Sequence, residues 1–160
     1  MYVFIMRHGD ATLDAISDIA RELTPRGYQE SREVACWLSQ QISGIDSVLV
    51  SPYIRAEQTL KVVREKLVLP DNQEVLAELI PSGDVALVAS YLQVLATQGR
   101  KAVLIVSHLP LVGYLVAELC PGQTPPMFAT SSIACVEWEQ QTEKGRLLWQ
   151  ISPAQLAKKT

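Results

Sequence analysis

The chain has 160 residues; the AVILMFWYC set makes up 48% of them and charged residues only 19%. That is the length of one domain and far too apolar for disorder. A net charge of −3 demotes a general nucleic-acid binder, which is usually basic. Apolar runs such as Val103–Val106 and Leu109–Val112 fall far short of the ~20 residues a membrane span needs.

The amino terminus lacks a basic n-region and reaches charged residues at once, so no signal peptide is expected. Cys36, Cys120 and Cys135 are odd in number and show no C-x-x-C spacing. That argues against a disulfide framework and a zinc site, and a reducing cytoplasm is the simplest setting.

In chain order, short apolar runs alternate with helical periodicity, the pattern of a largely parallel α/β sheet in a single domain over 1–160. Tyr2–Met6 reads as a buried strand that runs straight into Arg7-His8-Gly9. Asp10–Leu23 reads as a loop with at most a helical turn. Thr24-Pro25 supplies an N-cap and a proline at the first helical position, with Val34, Leu38 and Ile42 on one face and Ser43-Gly44 as the stop. Ser47–Val50 is a second strand. Ser51-Pro52 then repeats the cap-plus-proline start for a helix to about Leu67, with Glu57, Lys61 and Glu65 on its solvated face. Glu74–Leu76 is a short strand, and Asp84 caps a helix carrying Val88, Leu92 and Leu95 that Gly99 closes. Ala102–Val106 is a buried strand, followed by Ser107-His108 and a helix to about Leu119. After the proline-rich loop Cys120–Thr130, Ile133–Trp138 and Arg146–Ile151 form a terminal hairpin, in which Trp138 and Trp149 are placed to pack as a cross-strand pair.

Open α/β sheets bind ligands beyond the carboxyl ends of their strands. Both histidines of the chain, His8 and His108, stand at such ends, with Arg7 beside the first and Arg55 one turn into the helix after the second strand. Taken singly, each has an ordinary structural explanation. Taken together they make an anion receptor, and the natural anion is a phosphoryl group. The Walker and dinucleotide glycine loops, a cysteine-nucleophile phosphatase loop, a G-x-S-x-G elbow and a two-metal carboxylate set are all absent from the sequence. A metal-free site with a histidine nucleophile and no cofactor remains.

Met6-Arg7-His8-Gly9 resembles the R-H-G signature of the histidine phosphatase superfamily, the phosphoglycerate-mutase-like group. Leu23-Thr24-Pro25-Arg26-Gly27 resembles that group's L-T-x-x-G helix start. Ser51–Thr59 matches its S-x-x-x-R-A-x-x-T segment, and Ser107-His108 its S/T-H element. The short length and the stretch from Ser107 through Phe128 resemble the small phosphohistidine phosphatases of this group. The resemblance implies a three-layer α/β/α fold, with a mostly parallel sheet and an antiparallel edge, compact and without a cap insertion. It implies His8 as a transiently phosphorylated nucleophile, with Arg7, Arg55 and His108 clamping the phosphoryl oxygens beside Gly9.

The chemistry requires a neutral His8, its other nitrogen donating to a backbone carbonyl near Gly9; His108 can donate to an equatorial oxygen as a neutral ring or a cation. The resemblance implies a leaving-group acid on a glutamate after the third strand, which makes Glu78 in Leu76-Ala77-Glu78 the first candidate; Asp84 is the second, although it also stands where a helix cap belongs. About seven residues join the third strand to the helix at Asp84, too few for a lid. An open site of this kind suits a phosphohistidine on a partner protein, a phosphotransfer domain or phosphocarrier, rather than nucleic acid or membrane. Rim loops 10–23 and 122–130 would touch that partner, with Arg21 adding positive charge. A small-molecule phosphomonoesterase is the alternative enzyme, and a non-catalytic phosphohistidine reader the alternative of another class.

Overall fold

The computed structural model describes residues 1–158. Six strands form one sheet: β1 (Tyr2–Arg7), β2 (Ser47–Val50), β3 (Gln73–Val75), β4 (Ala102–Ser107), β5 (Ile133–Glu139) and β6 (Lys144–Ile151), in the order β3-β2-β4-β1-β5-β6. The pairs β3/β2, β2/β4 and β4/β1 are parallel. The antiparallel edge is a hairpin, in which β5 runs against β1 and β6 returns against β5. Helices α1 (Pro25–Gln41), α2 (Ile54–Lys66), α3 (Val85–Thr97) and α4 (Leu111–Leu119) flank the sheet, and α5 (Pro153–Lys158) follows it.

Strand side chains alternate between faces, and β1, β2, β4 and β5 are apolar on both, so each of these feeds two cores, while β3 is exposed. Phe4, Met6, Leu104 and Val106 pack with Val34 and Leu38 of α1 and Leu60 and Val63 of α2. Val3, Ile5, Val103 and Ile105 pack with Val88, Leu92 and Leu95 of α3 and with Leu111, Leu115 and Val116 of α4. Each such side chain contributes about 1.5–3 kcal/mol when withdrawn from water. No described helix is long and apolar enough to cross a membrane.

Several local expectations shift. Ser51-Pro52 does not cap α2: the helix starts at Ile54 with Tyr53 as N-cap and no side-chain cap bond. The Ser51 hydroxyl faces a histidine instead. Ile42 lies just past α1 rather than on its face, and the third strand is one residue earlier than its apolar signal. Trp138 and Trp149 do not pair. Trp138 stands opposite Gly145 and Trp149 opposite Cys135, and the two indoles belong to opposite cores; Trp149 meets Trp37 of α1 edge-on, with ring centroids 5.0 Å apart. Thr24 and Asp84 do cap their helices, accepting from the amides of Gly27 and Ala86.

The strand-to-helix connection after β1 is clasped by two glycines. A Cβ on Gly27 would lie 2.2 Å from the Asp10 carbonyl oxygen, and one on Gly9 would lie 2.8 Å from the carbonyl oxygen of Gly27. Because the obstacle is backbone, the chain itself must move to admit a methyl. Gly27→Ala is therefore expected to cost about 1–3 kcal/mol in urea unfolding and to displace Gly9 along with it.

Candidate active site

In the parallel β1/β4 ladder Arg7 stands opposite Ser107. The next residue of each strand is a histidine, and the His8 amide donates to the Ser107 carbonyl at 3.0 Å. The two imidazole centroids are consequently 5.0 Å apart. Val50 of β2 pairs with Val106, which brings Ser51 alongside His108. Arg55 follows in the first turn of α2. Strand register thus gathers Arg7, His8 and His108 at one crevice beyond the strand ends, and the first turn of α2 adds Arg55.

The tautomer of His8 follows from its neighbours. Nδ1 lies 2.7 Å from the Gly9 carbonyl oxygen, which can only accept, so Nδ1 carries the proton. Nε2 receives a hydrogen bond from Arg55 Nε at 3.3 Å; a guanidinium can only donate, so Nε2 holds a lone pair. Burial drives the His8 pKa down to about 4, against the pull of the Gly9 hydrogen bond and with help from Arg55, Arg7 and Arg21. Burial and then the His8, Arg55 and Arg7 charges push His108 down to about 3. Both rings are neutral at physiological pH, which removes the cationic option for His108 in the free protein.

Arg55 is buried and donates through each of its three nitrogens, which leaves a second N–H on each Nη. Besides His8, it donates through Nη1 to the Asp18 backbone carbonyl at 2.6 Å and through Nη2 to the Asp18 carboxylate at 3.3 Å. Its guanidinium carbon stands 5.1 Å from the Tyr53 ring centroid. Thr59, one turn further along α2, accepts from the Gly9 amide at 2.9 Å and donates to the Arg55 carbonyl at 2.8 Å. It ties the loop after β1 to the helix that carries the arginine. Arg7 donates through Nη1 to the Phe128 carbonyl at 2.8 Å, while its Nε is buried without a hydrogen-bond partner.

His108 Nε2 lies 2.7 Å from Ser51 Oγ, and its buried Nδ1 has no partner. The Tyr53 ring packs on this imidazole edge-on at 4.9 Å. Burial lowers the pKa of Arg7 and of Arg55; mutual repulsion with Arg55 and Arg21 adds to it at Arg7, while Asp18 opposes it at Arg55. Positive charge is in excess here, and an anion would relieve it.

One residue of the site, Asp18, carried no sequence signal. Asp18 lies in the irregular segment 10–23, yet its carboxylate bridges Arg55 and Arg21, the latter at 3.1 Å. Arg21 is held by the Ala11 and Thr12 carbonyls as well as by Asp18. Thr59 was visible only as the last letter of a motif. Glu78 lies in a 3-10 turn, Ala77–Leu79, that Ser107 Oγ pins by donating to the Leu79 carbonyl at 2.6 Å; the turn therefore abuts the β4 end. The Asp84 carboxylate caps α3, and Glu57 is exposed. Among the described residues no three His, Cys, Asp or Glu are grouped to hold a metal ion.

Two outcomes follow from these contacts. Thr59→Val leaves the buried Gly9 amide without an acceptor, at a cost of about 1–3 kcal/mol in chemical unfolding. The histidines set a pH dependence. An unfolded histidine titrates near about 6.5, whereas His8 in the folded chain titrates at about 4. Between these values the unfolded chain binds more protons, so stability falls as pH falls through that window. Urea unfolding at stepped pH should show this decline, and in His8→Asn the slope should be shallower.

Comparison with known proteins agrees with this geometry. The profile of the histidine phosphatase superfamily (branch 1) matches residues 3–79. The chain is 59% identical to the phosphohistidine phosphatase SixA of Escherichia coli over 98% of this chain and 96% of that one. It is 41% identical to a SixA homolog of Haemophilus influenzae over 96% and 97%. A structure of the protein histidine phosphatase SixA complexed with tungstate superposes with a TM-score of 0.95, at 59% identity, over 98% of this chain and 99% of that one. With residues 1–158 folded as above and a relative of this identity along nearly its whole length, the chain belongs to the histidine phosphatase superfamily.

Proposed function

We propose that this chain is a phosphohistidine phosphatase that removes phosphate from a histidine of a partner protein, a phosphotransfer domain or phosphocarrier in a phosphorelay. The observation that carries the chemistry is the His8 ring: Nδ1–H is spent on the Gly9 carbonyl, and Nε2 presents its lone pair beside Arg55. Nε2 attacks phosphorus in line, the P–N bond to the substrate histidine breaks, and phospho-His8 forms. Water then attacks the phosphorus of phospho-His8, releasing inorganic phosphate and restoring the neutral ring.

The clamp residues have distinct tasks. Arg7 and Arg55 supply fixed guanidinium donors to the equatorial oxygens, where charge neutralisation matters more than covalent help. Arg7 Nε is a buried donor in need of an acceptor. Ser51 Oγ accepts from the Tyr53 amide and has a proton to donate to His108 Nε2. With Ser51 as that donor, the imidazole proton of His108 sits on Nδ1, which is otherwise without a partner among the described residues and donates to a phosphoryl oxygen. The Gly9 carbonyl fixes the nucleophile, and Arg21 adds long-range positive charge through its place beside Asp18. The structure of SixA complexed with tungstate, a tetrahedral oxyanion, supports an oxyanion-binding reading of this chain. Glu78 is assigned the proton delivered to the leaving group, on the strength of its turn abutting the β4 end. Three free cysteines support a reducing, cytoplasmic setting.

The direct test is phosphate release from a phosphohistidine-bearing phosphotransfer domain in the presence of a chelator. Wild type should release phosphate and His8→Ala should not. Turnover that survives the substitution removes His8 as nucleophile. Release confined to a small phosphomonoester transfers the assignment to phosphomonoesterase. For Glu78, the Glu78→Gln variant should slow an alkyl phosphomonoester, whose oxygen must be protonated, more than a phosphoramidate. Equal effects on both would remove it as the acid.

A further inference from the structure

Segment 10–23 turns its polar and apolar residues the unusual way round. Asp18 and Arg21 are drawn onto Arg55 and onto the backbone of the loop itself. Leu23 is buried, but two of its large apolar residues face water: Leu13 is 85% exposed and Ile16 is 99% exposed. On segment 122–130, Met127 is 79% exposed, and the next residue, Phe128, gives its carbonyl to Arg7. Single exposed apolar side chains are commonplace. These three, however, lie on the two segments that hold the two guanidinium groups of the clamp.

Depth adds a geometric requirement. His8 is 6% exposed and His108 1% exposed. A phosphorylated imidazole is a short side chain. It can present its phosphorus to His8 Nε2 only if the surface that bears it comes down onto both segments. A free phosphorylated metabolite makes no such demand and would leave the three apolar side chains in water.

We propose that Leu13, Ile16 and Met127 form a docking rim for a folded protein whose phosphohistidine is flanked by apolar side chains. This rests on the phosphohistidine reading above. Complementarity has two parts: the phosphoryl dianion meets Arg7 and Arg55 at the centre, and apolar area is buried in a ring outside it. Central charge fixes orientation, while the ring excludes water and supplies affinity. The rim raises specificity for the protein substrate without touching the chemical step.

The test compares two substrates. Ile16→Asp and Met127→Asp change exposed side chains that take no part in the clamp. With a histidine-phosphorylated phosphotransfer domain, each should lower kcat/KM by about tenfold, carried mainly by KM. With phosphoimidazole, each should stay within about twofold of wild type, since nothing in that molecule reaches the rim. An unchanged kcat/KM on the protein substrate overturns the proposal. So does an equal loss on both substrates, which would make the residues structural. Wild type that is dimeric in size-exclusion chromatography and becomes monomeric with Ile16→Asp would give the rim to a second copy of this chain, and that too overturns it. Wild type that turns over the phosphoprotein with no loss in either rim variant defeats the docking rim alone, whereas wild type inactive on the phosphoprotein defeats the protein-phosphohistidine reading beneath it.

Discussion

The pairing of β1 with β4 is the constraint on which the site depends. Parallel strands in this register put Arg7 opposite Ser107, and each chain then leaves the sheet through a histidine. No loop has to bring the two imidazoles together; hydrogen bonding between adjacent strands does it. The strands are held in that register because both of their faces are apolar and buried. A slip by one residue would exchange the sets that face α1/α2 and α3/α4. Thr59 and the Gly9/Gly27 contact then convert strand position into side-chain position. Thr59 locks the turn after β1 to α2 and hence His8 to Arg55, while the Gly9/Gly27 contact packs the same turn against the start of α1.

On that scaffold the electrostatics follow from burial. Two imidazoles and two guanidinium groups share a crevice that offers them few counter-charges. The rings respond by remaining neutral, with pKa values well below that of a free histidine. The arginines remain as the charge, with Asp18 as the one carboxylate among the described residues in direct contact with Arg55. A histidine that must act as a nucleophile gains from this twice: its lone pair is free at neutral pH, and the field around it favours an incoming dianion. The same burial explains why acid should destabilise the fold, since the unfolded chain takes up protons that the folded chain refuses.

The core of the site was legible in the sequence because strand ends are legible. Tyr2–Met6 and Ala102–Val106 are continuous apolar runs, and whatever follows such runs in an open α/β sheet lines its crevice. His8, His108 and Arg7 are found that way, and Arg55 by its distance into the next helix. Asp18 was not found, because a segment without periodicity says nothing of which residue folds back onto α2. Ser51 was misassigned for a chemical reason. A serine before proline has the look of a helix cap, but here the hydroxyl serves His108 and the helix begins three residues on. The tryptophans failed similarly: strand membership was right, but the side of the sheet each indole occupies depends on register and on the irregularity between Cys135 and Val136.

The central claim is that His8 Nε2 is the attacking atom, made so by the Gly9 carbonyl on Nδ1. The measurement that tests it most directly is the isomer of the phosphoenzyme. Wild type is mixed with a phosphohistidine-bearing protein, quenched in alkali within the first turnover, and the phosphorylated His8 analysed by phosphorus NMR or by mass spectrometry against the two phosphohistidine standards. Phosphate bound to Nε2 of His8 is the predicted result. Phosphate on Nδ1, or on His108, would contradict the account.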